Sequence, residues 1–193
     1  MGTGYGQFER PTLELVTEPI DHVEPRGIVT RDGVLHRLDV IVLATGFDAH
    51  AYMRPIEIAG PGGLRLSELW QPEPFAYRTV ALPGFPSLLM LFGPQSPLGN
   101  QSLFATSESQ QDFALGVIEE WRRGQFDAVA PSRGATDRFM ADVRAALPKT
   151  MWAAGCRSWY IGGDGLPNLW PWMPARHREM LQVREQADWE VVY

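Results

Sequence analysis

The sequence predicts an α/β fold built of short strands, one hairpin and several helices, and three observations carry that prediction. Leu38-Asp39-Val40-Ile41-Val42-Leu43-Ala44 is almost continuously apolar and rich in β-branched residues, the pattern of a strand covered on both faces. Leu88-Leu89-Met90-Leu91-Phe92 is a second strand-sized apolar run. Beyond it, two stretches repeat apolar residues at the 3.6 period of a helix. Composition agrees: of 193 residues 45% are hydrophobic and 21% charged, with 16 Pro and 19 Gly, as in a globular chain that can bury a core. Disordered and collagen-like classes are excluded.

The elements follow in order. Leu13, Leu15 and Val16 form a short apolar run and Gly27 to Thr30 another; Arg31-Asp32-Gly33 then supplies a turn before Val34 and Leu35, which reads as a hairpin. The run from Leu38 ends abruptly at Thr45-Gly46 and is the candidate central strand. Residues 54 to 86 hold Gly60-Pro61-Gly62-Gly63 and Pro83-Gly84-Phe85-Pro86, so loops and short strands are expected there, without long helices. The second run is closed by Gly93-Pro94-Gln95-Ser96-Pro97-Leu98-Gly99-Asn100. Gln101 to Arg123 has no Pro and places Ala114, Val117, Ile118 and Trp121 on one face, predicting a helix of about five or six turns. Asp137 to Leu147 repeats the signal with Phe139, Met140, Val143, Ala146 and Leu147 in phase and Pro148 as the stop. The last 42 residues carry five of the seven tryptophans and Gly162-Gly163-Asp164-Gly165, a turn-rich aromatic segment, followed by a short helix from Ala175 to about Gln186.

Several function classes drop out. No apolar run reaches 18 residues, so no membrane helix is expected, and the first residues lack the basic and apolar regions of a secretory signal; a cytoplasmic address follows as the expectation. Net charge is −6, with seven Arg against eleven acids up to residue 100 and ten basic residues against twelve acids after it. Without a basic stripe, nucleic acid is not an expected partner, because phosphate neutralisation needs clustered Arg and Lys. Cys156 is the only cysteine, and His22, His36, His50 and His177 share no ligand spacing, so no metal site is expected. Cys156 reads as a buried thiol more readily than as a nucleophile, since no His or Lys stands near it in sequence. There is no P-loop, no G-x-S-x-G and no H-E-x-x-H, and Gly2-Thr3-Gly4-Tyr5-Gly6 has no preceding strand and no third glycine in dinucleotide-binding register. No catalytic acid or base can be named.

Two junctions can meet a ligand. The strand, glycine loop and helix from Leu88 to Arg123 would offer unpaired backbone N–H groups and a positive helix end to an electron-rich group, with Asn100 or Ser102 as cap. The plain alternative is that every α/β protein has such junctions. The first half of that helix, Thr106-Ser107-Glu108-Ser109-Gln110-Gln111, has no apolar stripe, so it is solvent-exposed or faces a polar cavity. At Thr45-Gly46 a glycine permits close backbone approach or positive φ, as it also would in an ordinary turn. The tryptophans are core residues or line a flat cofactor or apolar substrate.

Taken together, Arg10-Pro11 through Val16, Leu38 through Ala49, Pro83 through Leu88, Phe92-Gly93-Pro94-Gln95-Ser96-Pro97 and Cys156-Arg157-Ser158-Trp159-Tyr160 resemble, in the same order and at compatible spacing, the C-terminal part of flavin-containing and Baeyer–Villiger monooxygenases. The resemblance runs from about Tyr5 to about Arg178. It implies an incomplete Rossmann-type sheet from a flavoprotein with two dinucleotide-binding domains. About residues 1–50 would be the end of the NADPH-domain region with its return strand, and about 51–193 the remainder of the FAD domain. It further implies an enzyme that uses FAD and NADPH to insert oxygen into a ketone or oxidise a soft heteroatom of a small-molecule substrate. The cofactor carries that chemistry while the protein orients it and excludes water.

By the same resemblance Thr45, Gly46 and Phe47 lie where the chain returns toward the flavin domain. Gly93, Pro94, Ser96, Asn100 and Gln101 would pack at the isoalloxazine, and Trp159 matches a tryptophan on a loop that closes over the nicotinamide cofactor. The family's FAD and NADPH fingerprints, and its arginine near the flavin, would lie upstream. The expectation is therefore of a truncated chain inactive alone, holding FAD weakly, and partnered by an N-terminal half or by itself through exposed strand edges. The alternative is a non-catalytic remnant or interaction domain.

Overall fold

In the computed structural model, residues 10–97, 99, 101–155 and 160–193 are described. The chain divides into two units, Met1–Phe47 and Asp48–Tyr193. The first is a three-stranded antiparallel sheet in the order β1 (Ile20–Glu24), β2 (Gly27–Thr30) and β3 (Leu35–Arg37). β1 and β2 pair His22 with Val29 and Glu24 with Gly27, with an irregularity between Ile20 and His22; β2 and β3 pair Gly27 with Arg37 and Val29 with Leu35.

The hairpin predicted around Arg31-Asp32-Gly33 is therefore present. Its turn is held by Asp32, whose carboxylate accepts the Thr30 hydroxyl at 2.6 Å and the Val34 amide at 3.1 Å, and these bonds hold the carboxyl below the usual carboxylate range. Gly27 is required for a different reason. At φ 147°, a Cβ there would sit 1.9 Å from the His36 carbonyl oxygen.

Two expected strands of this unit do not form. Leu13–Val16 is exposed and unladdered. The run from Leu38 to Ala44 has the composition of a central strand, yet no described segment pairs with it, and Val40 is 75% exposed, Val42 and Leu43 82% each. A doubly buried strand needs a neighbour on each edge and a layer on each face; among the described residues this one has no ladder neighbour.

The second unit is built around α2 (Leu103–Arg122), α3 (Arg133–Ala146), α4 (Pro174–Gln182) and an antiparallel pair of β4 (Ala128–Pro131) with β5 (Trp189–Val192). Residues 54–86 contain only short elements, among them the one-turn α1 (Leu66–Leu69). The run at Leu88–Phe92 makes a single bridge, Ala81 with Leu89, and bends at Phe92, where φ is 56°. β4 and β5 were not foreseen: each is four residues long and they pair across the whole of α3 and α4.

α3 obeys its sequence pattern closely. Ser132 caps it by accepting the Ala135 amide at 3.1 Å, and Ala135, Thr136, Phe139, Met140 and Val143 form its buried face. That face meets Tyr77, Phe113, Phe126, Trp170 and Trp189 in the main core, while Leu66, Trp70, Leu82, Phe85 and Met90 form a second cluster under the loops. The main core is aromatic at its centre, with Phe139 against Tyr77 edge-on at 5.7 Å and against Trp170 stacked at 6.4 Å.

A charged web ties the C-terminal segment to this core. Arg78, which is buried, donates to the carbonyls of Met180 and Val183 and faces Asp188 and Glu185; Asp188 also accepts the Tyr77 hydroxyl at 2.7 Å and Arg138 at 2.9 Å. No described helix is long and apolar enough to cross a membrane. Replacing Phe139 by Ala removes the ring that joins three aromatic neighbours and is expected to destabilise the second unit by about 3–5 kcal/mol, readable as a lowered urea midpoint with loss of the near-UV aromatic signal.

Candidate functional site

The loop from Phe92 to Pro97 leads into α2, and its conformation is set by polar side chains rather than by apolar packing. Phe92 and Gln95 adopt positive φ, 56° and 64°, as do Arg78 and Thr79 in the segment beside them, 49° and 71°. For residues with a Cβ this region costs about 1–2 kcal/mol each and persists only where surrounding bonds demand it.

Those bonds come from α2. Gln110 is completely buried; its Oε1 accepts the Phe92 amide at 2.9 Å, and its Nε2 donates to Thr79 Oγ1 at 2.9 Å and to Ser96 Oγ at 2.8 Å. Thr79 Oγ1 lies 2.9 Å from His177 Nε2 on α4. Because the Gln110 amide already donates to Thr79, the hydroxyl's own proton is available to His177 Nε2, the arrangement of a neutral imidazole. Burial lowers the His177 pKa to about 4, and its ring lies edge-on to Trp170 at 4.8 Å.

A second buried set holds the far side of the loop. The Gln95 amide donates to Asn168 Oδ1 at 2.7 Å, Gln95 Oε1 accepts the Ala76 amide, and both side-chain amides donate to the Pro74 carbonyl. Pro97 is tied in turn by the Trp170 amide at 3.1 Å.

The residues singled out from sequence fall into three groups. Gly93, Pro94 and Ser96 are all buried in this loop. Gly93 has an internal reason to be glycine, since a Cβ would come within 2.3 Å of the Thr79 carbonyl oxygen, and the Ser96 hydroxyl is already engaged by Gln110. Gln101 donates to Thr106 Oγ1 at 3.2 Å at the entry to α2. Thr45, Gly46 and Phe47 end the first unit: Gly46 has φ 79° with open space where a Cβ would be, and Phe47 is exposed. Asn100 and Trp159 lie outside the described residues, as does Cys156.

Thr79 and Asn168 were not named from sequence, and Gln110, His177 and Gln95 were quoted there only within a polar stretch, a histidine set and a motif, without a site role. The signal was present for Gln110: the first half of α2 lacks an apolar stripe because its buried positions, Thr106 and Gln110, are polar and face a seam of hydroxyls and amides. Its exposed Glu108, Gln111 and Asp112 hide that pattern.

What the site can offer an electron-rich group is the start of α2. Ser102 precedes the helix without a side-chain cap, and no acidic residue occupies the first turn. No group of three or more described His, Cys, Asp or Glu side chains could hold a metal ion.

Near the same loop opens a cleft of about 680 Å³ whose lining includes Gly99, Met151, Trp152, Trp170, Trp172 and Arg176, the last with its guanidinium 4.1 Å from the Trp172 ring centroid. Trp170 and Trp189 belong to the core, while Trp152 and Trp172 line this cleft.

No protein-family model matches the chain. An uncharacterized monooxygenase of Mycobacterium tuberculosis is 52% identical over 180 residues, 93% of this chain and 36% of that protein. A Baeyer–Villiger monooxygenase of Streptomyces coelicolor is 28% identical over 195 residues, 98% of this chain and 37% of that protein. Further relatives carry the name FAD-binding monooxygenase. Among solved structures, cyclohexanone monooxygenase from Rhodococcus bound to NADP⁺ superimposes with a TM-score of 0.84 at 30% identity, covering 97% of this chain and 37% of that one. The chain spans about a third of the length of the relatives it matches.

The buried imidazole gives a pH dependence with a definite sign. Its folded pKa is below the unfolded value of 6.5, so the unfolded state takes the proton first as pH falls. This contribution is complete above pH 6.5 and is lost between there and about pH 4, by roughly 3 kcal/mol in total. Thermal unfolding followed over that range should show a shallower acid decline for His177→Gln than for the wild type.

Proposed function

We propose that this chain, which corresponds to the C-terminal part of FAD-binding and Baeyer–Villiger monooxygenases, works as the flavin-facing and cofactor-closing part of an FAD- and NADPH-dependent monooxygenase that oxygenates a small ketone or soft heteroatom compound. The observation that carries the reading is the likeness along almost the whole chain to a cyclohexanone monooxygenase bound to NADP⁺. Bound FAD would supply the reduction of dioxygen and transfer of one oxygen atom to the substrate.

The chain's own residues have narrower tasks. The uncapped start of α2 would present backbone N–H donors to the isoalloxazine and favour negative charge there, with Gly93, Pro94, Ser96, Asn100 and Gln101 shaping that edge. Thr45, Gly46 and Phe47 would return the chain toward the flavin. Trp159 would close over the nicotinamide cofactor. No residue of this chain is assigned as a proton donor or acceptor.

A second reading, a non-catalytic interaction domain, draws on a specific observation: the uncovered apolar run from Val40 to Leu43.

The test is an absorbance spectrum of the purified chain before and after addition of FAD, with NADPH consumption followed in the same cuvette, alone and with an N-terminal portion taken from the Mycobacterium tuberculosis relative. Flavin binding and NADPH oxidation that appear on complementation are the expected result; a colourless, inert mixture favours the interaction domain. In the active mixture, Trp159→Ala is expected to raise the KM for NADPH or lower turnover by tenfold or more, and unchanged kinetics would remove that role.

A further inference from the structure

The side-chain amide of Gln110 is the point at which three separate segments meet, and that gives it a task beyond filling the core. Of its polar capacity, both Nε2 hydrogens and one Oε1 lone pair are used, on Thr79, Ser96 and the Phe92 backbone. Phe92 and Ser96 are the two ends of the loop that precedes α2, so one rigid planar group spans the loop. The residues it grips include two at positive φ, Phe92 and Thr79.

The other anchors act at Gln95 within the loop and at Pro97 just after it, and neither reaches Phe92. Asn168 and Pro74 hold Gln95, and the Trp170 amide holds Pro97. The acceptor of the Phe92 amide is Gln110 itself. Removing the amide would leave a part-buried N–H without its partner at a residue of positive φ, where the loop can relax. Through Thr79 the same group reaches His177 on α4, so the loop, α2 and α4 are set relative to one another by a single chain of hydrogen bonds.

We propose that Gln110 is a positioning residue: by fixing Phe92 and Ser96 it sets the place of the Phe92–Ser96 loop, and thereby of the isoalloxazine edge that this loop is read to face. The second half rests on the function proposed above. The first half stands on the hydrogen bonds alone.

Amide hydrogen exchange on the full chain tests the first half. Gln110→Leu keeps the volume and removes every polar atom; Gln110→Glu keeps an oxygen acceptor in place for Phe92. Exchange at Phe92, measured against Val129 of β4 in the same sample, is expected to accelerate at least about tenfold in Gln110→Leu and to return to within threefold of the wild type in Gln110→Glu. Ser96→Ala leaves the Phe92 bond intact, so protection at Phe92 is expected to survive in it; Gln110→Met stands in if the leucine variant does not fold. Acceleration spread evenly over α2 in all three variants, or none at Phe92 in the apolar Gln110 variant, overturns the proposal.

FAD titration of the same proteins, complemented as above, tests the second half. A Kd about tenfold weaker in Gln110→Leu, recovered in part by Gln110→Glu, supports it. Equal Kd values with a loosened loop overturn it. If the wild type takes up no FAD even when complemented, the flavin reading of the loop fails, and the exchange data alone decide whether Gln110 positions it.

Discussion

A buried amide or hydroxyl must find partners, because leaving one unmet costs as much as several well-packed methyl groups. In this chain that requirement organises the second unit. Thr79, Ser96, Thr106, Gln110 and His177 are all buried, and each answers another or a backbone group. Close packing of apolar residues would tolerate small shifts of the loops above it. A set of mutually dependent hydrogen bonds does not, since one displaced member strands its neighbours. The loop before α2 is therefore held in a conformation that its own backbone preferences oppose, and α2 and α4 are joined to it by directional contacts.

The same constraint explains which parts of the fold could be read from sequence. α3 was legible because its buried face is mostly apolar, with Phe139, Met140 and Val143 in phase and Thr136 the one polar member, and Pro148 follows its end. α2 was legible as a helix, but its buried face was not. The sequence placed Ala114, Val117, Ile118 and Trp121 together, whereas Ile118 and Trp121 are exposed and the buried stripe runs through Thr106, Gln110, Phe113 and Val117. Half of that stripe is polar, so apolar periodicity points to the wrong side. Gly93 and Ser96 were recognised by their place in a motif; their local reasons, the Thr79 carbonyl and the Gln110 amide, exist only once segments distant in sequence are folded together.

The β structure was legible in inverse proportion to its reach. The hairpin of the first unit is encoded within a few residues by Thr30, Asp32 and Gly33. β4 and β5 are two short strands far apart in the chain, and no local pattern announces their pairing. The run from Leu38 to Ala44 shows the opposite failure. Its composition is that of a segment in the middle of a sheet, yet no described strand pairs with it, because a ladder is set by partners elsewhere in the fold and not by the composition of one run.

That run has a consequence for how long the chain lasts in a cell. Proteases bind their substrates as extended strands and reach exposed loops first, and apolar β-prone stretches left open are also where like molecules stack on one another. Val40, Ile41, Val42 and Leu43 combine both properties in one accessible stretch next to Phe47. Left uncovered, those few residues are where cleavage and self-association of this polypeptide would begin.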